Sequence, residues 1–105
     1  MTGSKASKVT LTEQAVARLD IRTAPVARGT TAGRTTVPYS ALLYDTEGVT
    51  WVFEEVGPRA YLRREVGVEV VDGDSVVMTS GPAVGRTIVT VGAAVLYGTE
   101  LGTGK

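Results

Sequence analysis

Few residues of this chain could act as nucleophiles or acid–base groups. The sequence has no histidine and no cysteine, so the commonest general base near neutral pH and the thiolate nucleophile are both missing. Ser40, in "PYSA", and Ser80, in "TSGP", have no motif around them that would supply an activating base. Both serines stand among turn-forming residues, where a hydroxyl commonly hydrogen-bonds to the backbone. We therefore expect no catalytic residue and a protein that is not an enzyme.

Carboxylates form two close pairs, which could share a proton or bind a metal ion. Glu54 and Glu55 are adjacent in a predicted strand, where successive side chains point to opposite faces. Asp72 and Asp74 belong to a predicted hairpin turn. Calcium takes about six to eight oxygen ligands, and no loop of the sequence offers them. We expect these four side chains to lie on the solvated surface, and we expect no metal ion or cofactor.

The overall composition is that of one folded domain without a strong electric field. Of the 105 residues, 43% are apolar and 21% are charged, which is ordinary for a globular protein. The 11 basic residues balance the 11 acidic residues, so we expect no nucleic-acid partner. No apolar run approaches the roughly 20 residues of a membrane-spanning helix.

A short helix is predicted near the N-terminus, in "LTEQAVARLDI". Thr12 suits the N-cap position, and Glu13 places a negative charge in the first turn, where the helix dipole favours it. Arg18 suits the carbonyl end, and Asp20 tolerates the left-handed conformation that ends many helices. The apolar stripe of this helix is expected to lie against the rest of the domain.

The segments after the helix are predicted to form a strand and then a connector. "DIRTAPV" alternates as a strand does, and Pro25 marks its edge or its end because proline cannot donate a backbone hydrogen bond. Residues 28–36, within "ARGTTAGRTT", are mostly small and polar and include glycine, which predicts a short connector.

Period-two alternation indicates strands in most of the remaining chain. Gly57-Pro58 predicts the turn of one hairpin, and Asp72-Gly73 predicts a second, two-residue turn that would set Val68 opposite Val77. "TIVTV" then reads as the last strand, and "GAAVLYG" as a short helical or coiled lid.

The ordered pattern predicts a mainly β fold. Short strands separated by turns at this spacing are typical of a small β-barrel or β-roll, here of about six to seven strands with one short N-terminal helix. We expect a single domain over residues 9–101, between tails at 1–8 and 102–105.

Two groups of side chains have more than one possible role. In the Arg63-Arg64 pair, Arg64 shares its face with Leu62, so either it pairs with a carboxylate at the rim of the barrel or it belongs to a partner-docking surface. The aromatic side chains could line a ligand pocket, although period-two spacing favours plain core; they are Tyr39, Tyr44, Trp51, Phe53 and Tyr61.

Taken in order, these segments resemble the membrane-proximal domain of membrane fusion proteins, the HlyD-like periplasmic adaptor subunits of efflux pumps. "VTLTEQAVARLDIRTAPV" is similar to the family's first helix and strand, and "VPYSALLYDTEGVTWVFEE" to the segment by which the chain returns to this domain. "YLRREVGVEVVDGDSVVMTSGPAVGRTIVTVGAAVLYGTEL" is similar to the closing hairpins and the final strand. The likeness covers roughly residues 9 to 101.

The chain also departs from the family pattern. Adaptors of this family carry a β-barrel, a lipoyl domain and usually an α-helical hairpin between the first strand and the return segment, where this chain has only the connector. Smaller departures are Pro82 and Val84 in the glycine-framed turn, Asp20 where glycine is frequent, and Glu65 where an apolar residue or proline is usual.

The resemblance implies a non-catalytic, extracytoplasmic adaptor domain. Its partner would be an inner-membrane transporter of the resistance-nodulation-division or ABC type, and it would lie close to the membrane in the periplasm or at the cell surface. A homo-oligomer is one arrangement that the resemblance allows. An export or anchoring segment would then precede this sequence. Candidate docking residues are Arg59, Arg63, Arg64 and Glu65. The alternative is a small extracytoplasmic β-domain that binds or senses a ligand or ion.

Overall fold

The chain folds into ten β-strands and two α-helices over residues 8–102, the part that the computed structural model describes. In chain order the elements are β1 (Val9–Thr10), α1 (Glu13–Leu19), β2 (Arg22–Pro25), β3 (Ala27–Arg28), β4 (Thr35–Pro38), a 3-10 turn (Tyr39–Ala41), β5 (Leu43–Tyr44), β6 (Thr50–Gly57), β7 (Ala60–Glu65), β8 (Gly67–Asp72), β9 (Ser75–Ser80), β10 (Thr87–Val91) and α2 (Ala93–Gly102).

The strands form two antiparallel sheets. The first has six strands in the order β1-β7-β6-β10-β2, with β5 paired to β6, and the second has four in the order β3-β4-β9-β8. The predicted mainly β class with a short N-terminal helix is confirmed. The strand count exceeds the expected six to seven because three of the ten strands are only two residues long beside the longer ones. Within residues 8–102 the sheets do not close into a barrel.

Helix α1 forms for the reasons that its sequence predicted. The Thr12 hydroxyl accepts a hydrogen bond from the Ala15 backbone N–H at 3.0 Å, which satisfies one of the free donors of the first turn. Asp20 ends the helix in the left-handed conformation, with φ 55°. No residue of α1 is fully buried, so this helix lies on the domain rather than within it.

The hairpin between β8 and β9 has a different register from the predicted one. The two-residue turn is Gly73-Asp74, and Gly73 has φ +62°, as a type II′ turn requires at its first central position. Val77 therefore faces Val70, and Val68 faces Met78 after a bulge, so the predicted pairing of Val68 with Val77 is wrong.

Residues 28–36, predicted to be a connector, take part in a tight hairpin. Strands β3 and β4 pair through Ala27↔Thr36 and Arg28↔Thr35. The Gly29 N–H donates to the Arg34 carbonyl at 2.9 Å and closes the loop. The predicted tails lie almost wholly outside the described residues. The segment "GAAVLYG" is helical and belongs to α2.

Two hydrophobic clusters cover the two faces of the first sheet. One lies between the sheets and includes Val52 and Ile88 of the first sheet and Met78 of the second. The other packs α2 onto the opposite face and includes Phe53 and Leu96. Strand β6 is therefore buried on both sides over its first half, where three apolar residues follow one another, Trp51, Val52 and Phe53.

The aromatic residues divide between core and surface. Trp51, Phe53 and Tyr61 are buried, as the core interpretation predicted. Tyr39 and Tyr44 are 48% and 54% exposed, so the prediction of core positions is wrong for them. Among residues 8–102, no helix is long and apolar enough to cross a bilayer.

Candidate functional site

The four candidate docking residues occupy the strand β7 and its preceding turn, but they do not form one patch. Arg59 precedes the strand and Glu65 ends it. At about 3.3 Å per residue, the two lie roughly 20 Å apart along the chain. Arg63 and Arg64 are adjacent in the strand, so their side chains point to opposite faces of the sheet. Each arginine therefore has its own environment.

Arg63 is buried beneath α2 and is not available to a partner. Its Nε and one terminal amino group donate to the two oxygens of Glu100 at 2.7 and 2.9 Å. The side chains of this pair are only 2% and 4% exposed. The guanidinium carbon lies 4.2 Å from the centre of the Trp51 ring and 5.2 Å from that of Tyr97. The expectation that Arg63 belongs to a docking surface is corrected by this burial.

The contacts of Arg63 attach α2 to the first sheet. The hydrogen bond to Glu100 outweighs the opposing effect of burial and raises the pKa of Arg63. Trp51 is itself fixed, because its indole N–H donates to Asp45 at 3.0 Å. That hydrogen bond is the main reason why the pKa of Asp45 is lowered. These groups hold the helix and the sheet together.

Arg64 lies on the other face of β7 and contacts a buried carboxylate. Its Nε donates to Glu54 Oε1 at 2.8 Å, as the rim-pairing interpretation predicted. A third residue, Arg86, binds the other oxygen of Glu54. Glu54 faces Leu62 of β7 and Ile88 of β10 in the sheet register, so one arginine comes from β7 and the other from the residue just before β10, on either side of β6. We call this group the Arg64–Glu54–Arg86 clamp.

The buried position of Glu54 contradicts its predicted place on the solvated surface. The residue is 3% exposed and lies on the same face of β6 as Val52, which belongs to the core between the two sheets. Burial acts most strongly on its carboxyl group and raises the pKa, but the hydrogen bonds and charges of Arg64 and Arg86 together outweigh it. The net effect is a lowered pKa, so Glu54 is ionised at neutral pH.

Arg59 and Glu65 remain at the surface. Arg59 adopts φ 56° in the turn after β6 and donates from Nε to the Leu11 carbonyl at 3.2 Å. The Leu11 N–H in turn donates to the Arg59 carbonyl at 2.9 Å, so this turn anchors the chain just before α1. The Arg59 side chain is still 44% exposed, and Glu65 is exposed at the end of β7.

The other candidates for chemistry make structural contacts. Ser40 donates to the Thr90 carbonyl at 2.6 Å, and Ser80 accepts from the Gly67 N–H at 3.0 Å. Asp72 and Asp74 are exposed around the hairpin turn, as expected. Within residues 8–102, no group of three or more acidic, histidine or cysteine side chains is placed to hold a metal ion.

A shallow depression adjoins the clamp. It has a volume of ≈ 520 Å³ and lies between the end of β6 and the start of β10. Arg86 is at its border, and polar groups make up more of its exposed lining than apolar ones. The lining residues are Glu55, Val56, Gly57, Pro58, Gly85, Arg86 and Thr87.

Sequence reasoning missed Arg86 and Glu100, and it placed Glu54 on the surface. A signal for Glu54 was present, because it shares its strand face with Val52, a core residue. Arg86 is the only charged residue in the stretch 80–98, which marks it as unusual there. Comparison with protein-family models, curated proteins and solved structures finds no match for this chain.

Proposed function

We propose that this chain is a non-catalytic extracytoplasmic adaptor domain that docks onto an inner-membrane transporter. The resemblance of its segments to the membrane-proximal domain of HlyD-like adaptors is the starting point. The observation that carries the proposal is how the first segment of the chain joins the rest. Strand β1 pairs with β7, and β2 pairs with β10, so both strands of the first segment belong to the same sheet as the closing strands.

The position of the shortened insertion also supports this function. In the family, the additional domains are inserted between the first strand and the return segment. Here the corresponding ends, β3 and β4, are hydrogen-bonded neighbours, Arg28 facing Thr35. A short loop can join such ends as well as a long insertion can, since loop closure depends only weakly on length. Without an α-helical hairpin, the domain would act at the transporter and would not reach an outer-membrane channel.

The docking surface in this proposal extends along the whole of β7 and is not one compact patch; its exposed charged residues are Arg59, Arg64, Glu65 and Arg86, the last of which directly precedes β10. Arg63 supports this surface indirectly by fixing α2. The alternative, a ligand-binding domain with an aromatic pocket, is less well supported. Trp51 and Phe53 are packed in the core, while Tyr39 and Tyr44 are exposed, so the aromatic rings do not line a common cavity.

Site-specific photo-crosslinking in the native cell tests this proposal. A photoreactive phenylalanine analogue replaces Glu65 in one variant and, as the control, Asp72 at the far hairpin turn of the second sheet in another. We expect the variant at 65 to crosslink to a subunit of a membrane transporter and the variant at 72 to give little product. Crosslinks only to proteins that are not transporters, or equal products from both positions, would contradict the proposal.

A further inference from the structure

The Arg64–Glu54–Arg86 clamp joins one buried anion to two half-exposed cations. The Glu54 side chain is 4% exposed, whereas those of Arg64 and Arg86 are 43% and 56% exposed. Each carboxylate oxygen accepts from a different arginine. Two guanidinium groups on a single carboxylate leave one net positive charge at the surface.

Some N–H donors of the clamp do not contact Glu54. Arg64 binds Glu54 through Nε, and its two terminal amino groups have no hydrogen-bond partner among residues 8–102. A guanidinium group has five N–H donors in a planar fork, which matches a carboxylate in two-point contact. Because Glu54 already orders both arginine side chains, less conformational entropy is lost when a ligand binds to them.

The surroundings favour a protein segment over a membrane or a nucleic acid. Anionic lipid surfaces are recognised by clusters of about four to eight basic residues, whereas this site offers one net charge on a chain of zero net charge. The adjoining depression has a mainly polar lining with a small apolar part at Val56 and Pro58, which suits a small neutral side chain of a peptide. Glu55 also borders it, so a second acidic residue is disfavoured there.

We propose that the clamp binds one acidic side chain of a partner protein, with a neutral residue of the same segment in the depression beside Arg86. This inference rests on the proposed docking function and names the chemistry that the partner presents. The partner segment therefore carries a single aspartate or glutamate next to a small neutral residue, at a position that is exposed before binding.

Nuclear magnetic resonance titration with two blocked peptides tests the inference. The probes are acetyl-Gly-Val-Glu-Val-Gly-amide and its counterpart with glutamine in place of glutamate. We expect the glutamate peptide to bind in the millimolar range, to shift the Nε–H signals of Arg64 and Arg86, and to bind about fivefold more tightly than the glutamine peptide. Added salt weakens the binding.

Variants locate the site. R64Q and R86Q each leave Glu54 one arginine partner, and we expect each to weaken the glutamate peptide about threefold or more. R28Q, which removes an exposed arginine from β3, is the matched control and leaves the affinity unchanged. If either clamp variant does not fold, the comparison of the two peptides on the wild-type protein, read at the two arginine signals, still decides the question.

Several results would overturn the inference. Equal affinity for the two peptides would show that the carboxylate is not recognised. A loss of affinity in R28Q equal to that in R64Q or R86Q would show that binding depends on overall charge and not on the clamp. Binding to phosphatidylglycerol vesicles that needs Arg64 and Arg86, without peptide binding, identifies a lipid surface instead. The two experiments test the two proposals separately. Crosslinking identifies a transporter partner regardless of which groups make the contact. The peptide titration detects carboxylate recognition regardless of which protein carries the carboxylate.

Discussion

Replacing Glu100 by glutamine should strongly destabilise the fold. Its carboxylate is 4% exposed and makes two short hydrogen bonds to a guanidinium group that is 2% exposed. Removing one partner of such a pair leaves the other charge buried without compensation, which costs about 3–5 kcal/mol. Because glutamine retains one acceptor for Arg63, we expect about 3 kcal/mol for E100Q. That is a large part of the roughly 5–15 kcal/mol by which domains of this kind are stable.

Urea unfolding, followed by tryptophan fluorescence, measures this change. Trp51 is the only tryptophan in the sequence, and its ring lies 4.2 Å from the Arg63 guanidinium carbon, so its emission reports on the site. The matched control is D20N, which makes the same acid-to-amide change in an exposed ion pair with Arg22, where we expect less than about 1 kcal/mol. Asparagine also tolerates the left-handed conformation of this position.

A double variant separates the ion pair from simple loss of packing. R63M/E100M removes both charges, so we expect it to be more stable than R63M or E100Q alone, since no buried charge remains unpaired. The reasoning is refuted if E100Q unfolds within about 1 kcal/mol of the wild type. It is also refuted if the double variant is less stable than both single variants.

Two further predictions concern pH and backbone conformation. The pKa of Glu54 is lowered in the folded state, so its stabilising contribution is present above its ordinary pKa of 4.5 and is lost as the pH falls through the lower folded value. The difference in urea midpoint between wild type and E54Q should therefore be largest near neutral pH and should shrink in acid. A difference that does not change with pH would contradict this. Gly92 has φ +92°, and an added Cβ would lie 2.4 Å from Ile21 Cδ1, whereas Gly33 has φ +81° and open space. Because Cδ1 is the end of a flexible, half-buried side chain that can move at the cost of a strained rotamer, we expect G92A to cost about 0.5–1.5 kcal/mol more than G33A in the same unfolding assay. Equal losses would exclude the packing contribution.

The elements that the sequence predicted well depend on neighbouring residues. The start of α1 follows from the Thr12 hydroxyl, and its end from the left-handed backbone of Asp20, whose N–H donates to carbonyls three and four positions earlier. The β8–β9 turn was predicted from the same kind of signal, but its register was wrong by one position at the turn. Asp72-Gly73 and Gly73-Asp74 both suit a two-residue turn; the second forms, and it pairs the buried Val76 with Val71. Local chemistry leaves such a choice open.

The sequence predicted the type of contact at the candidate site but not the residues that make it. The alternation of β7 predicted that Arg64 pairs with a carboxylate or faces a partner, but it did not identify the carboxylate. Glu54 becomes a neighbour of Arg64 only through the pairing of β6 with β7. The burial of Arg63 depends on Glu100, 37 positions further along the chain. That contact forms only when α2 packs on the sheet, so the local alternation of residues in the sequence could not predict it.

The two adjacent arginines of β7 therefore have different consequences for any study of binding. Arg64 is held in place from below by Glu54 and stays half-exposed, so its replacement changes what the surface offers to a partner. Arg63 is enclosed by Trp51, Tyr97 and Glu100, so its replacement changes how much protein is folded. A loss of docking in an Arg63 variant can be interpreted only together with its unfolding curve, whereas a loss in a folded Arg64 or Arg86 variant reports on recognition itself.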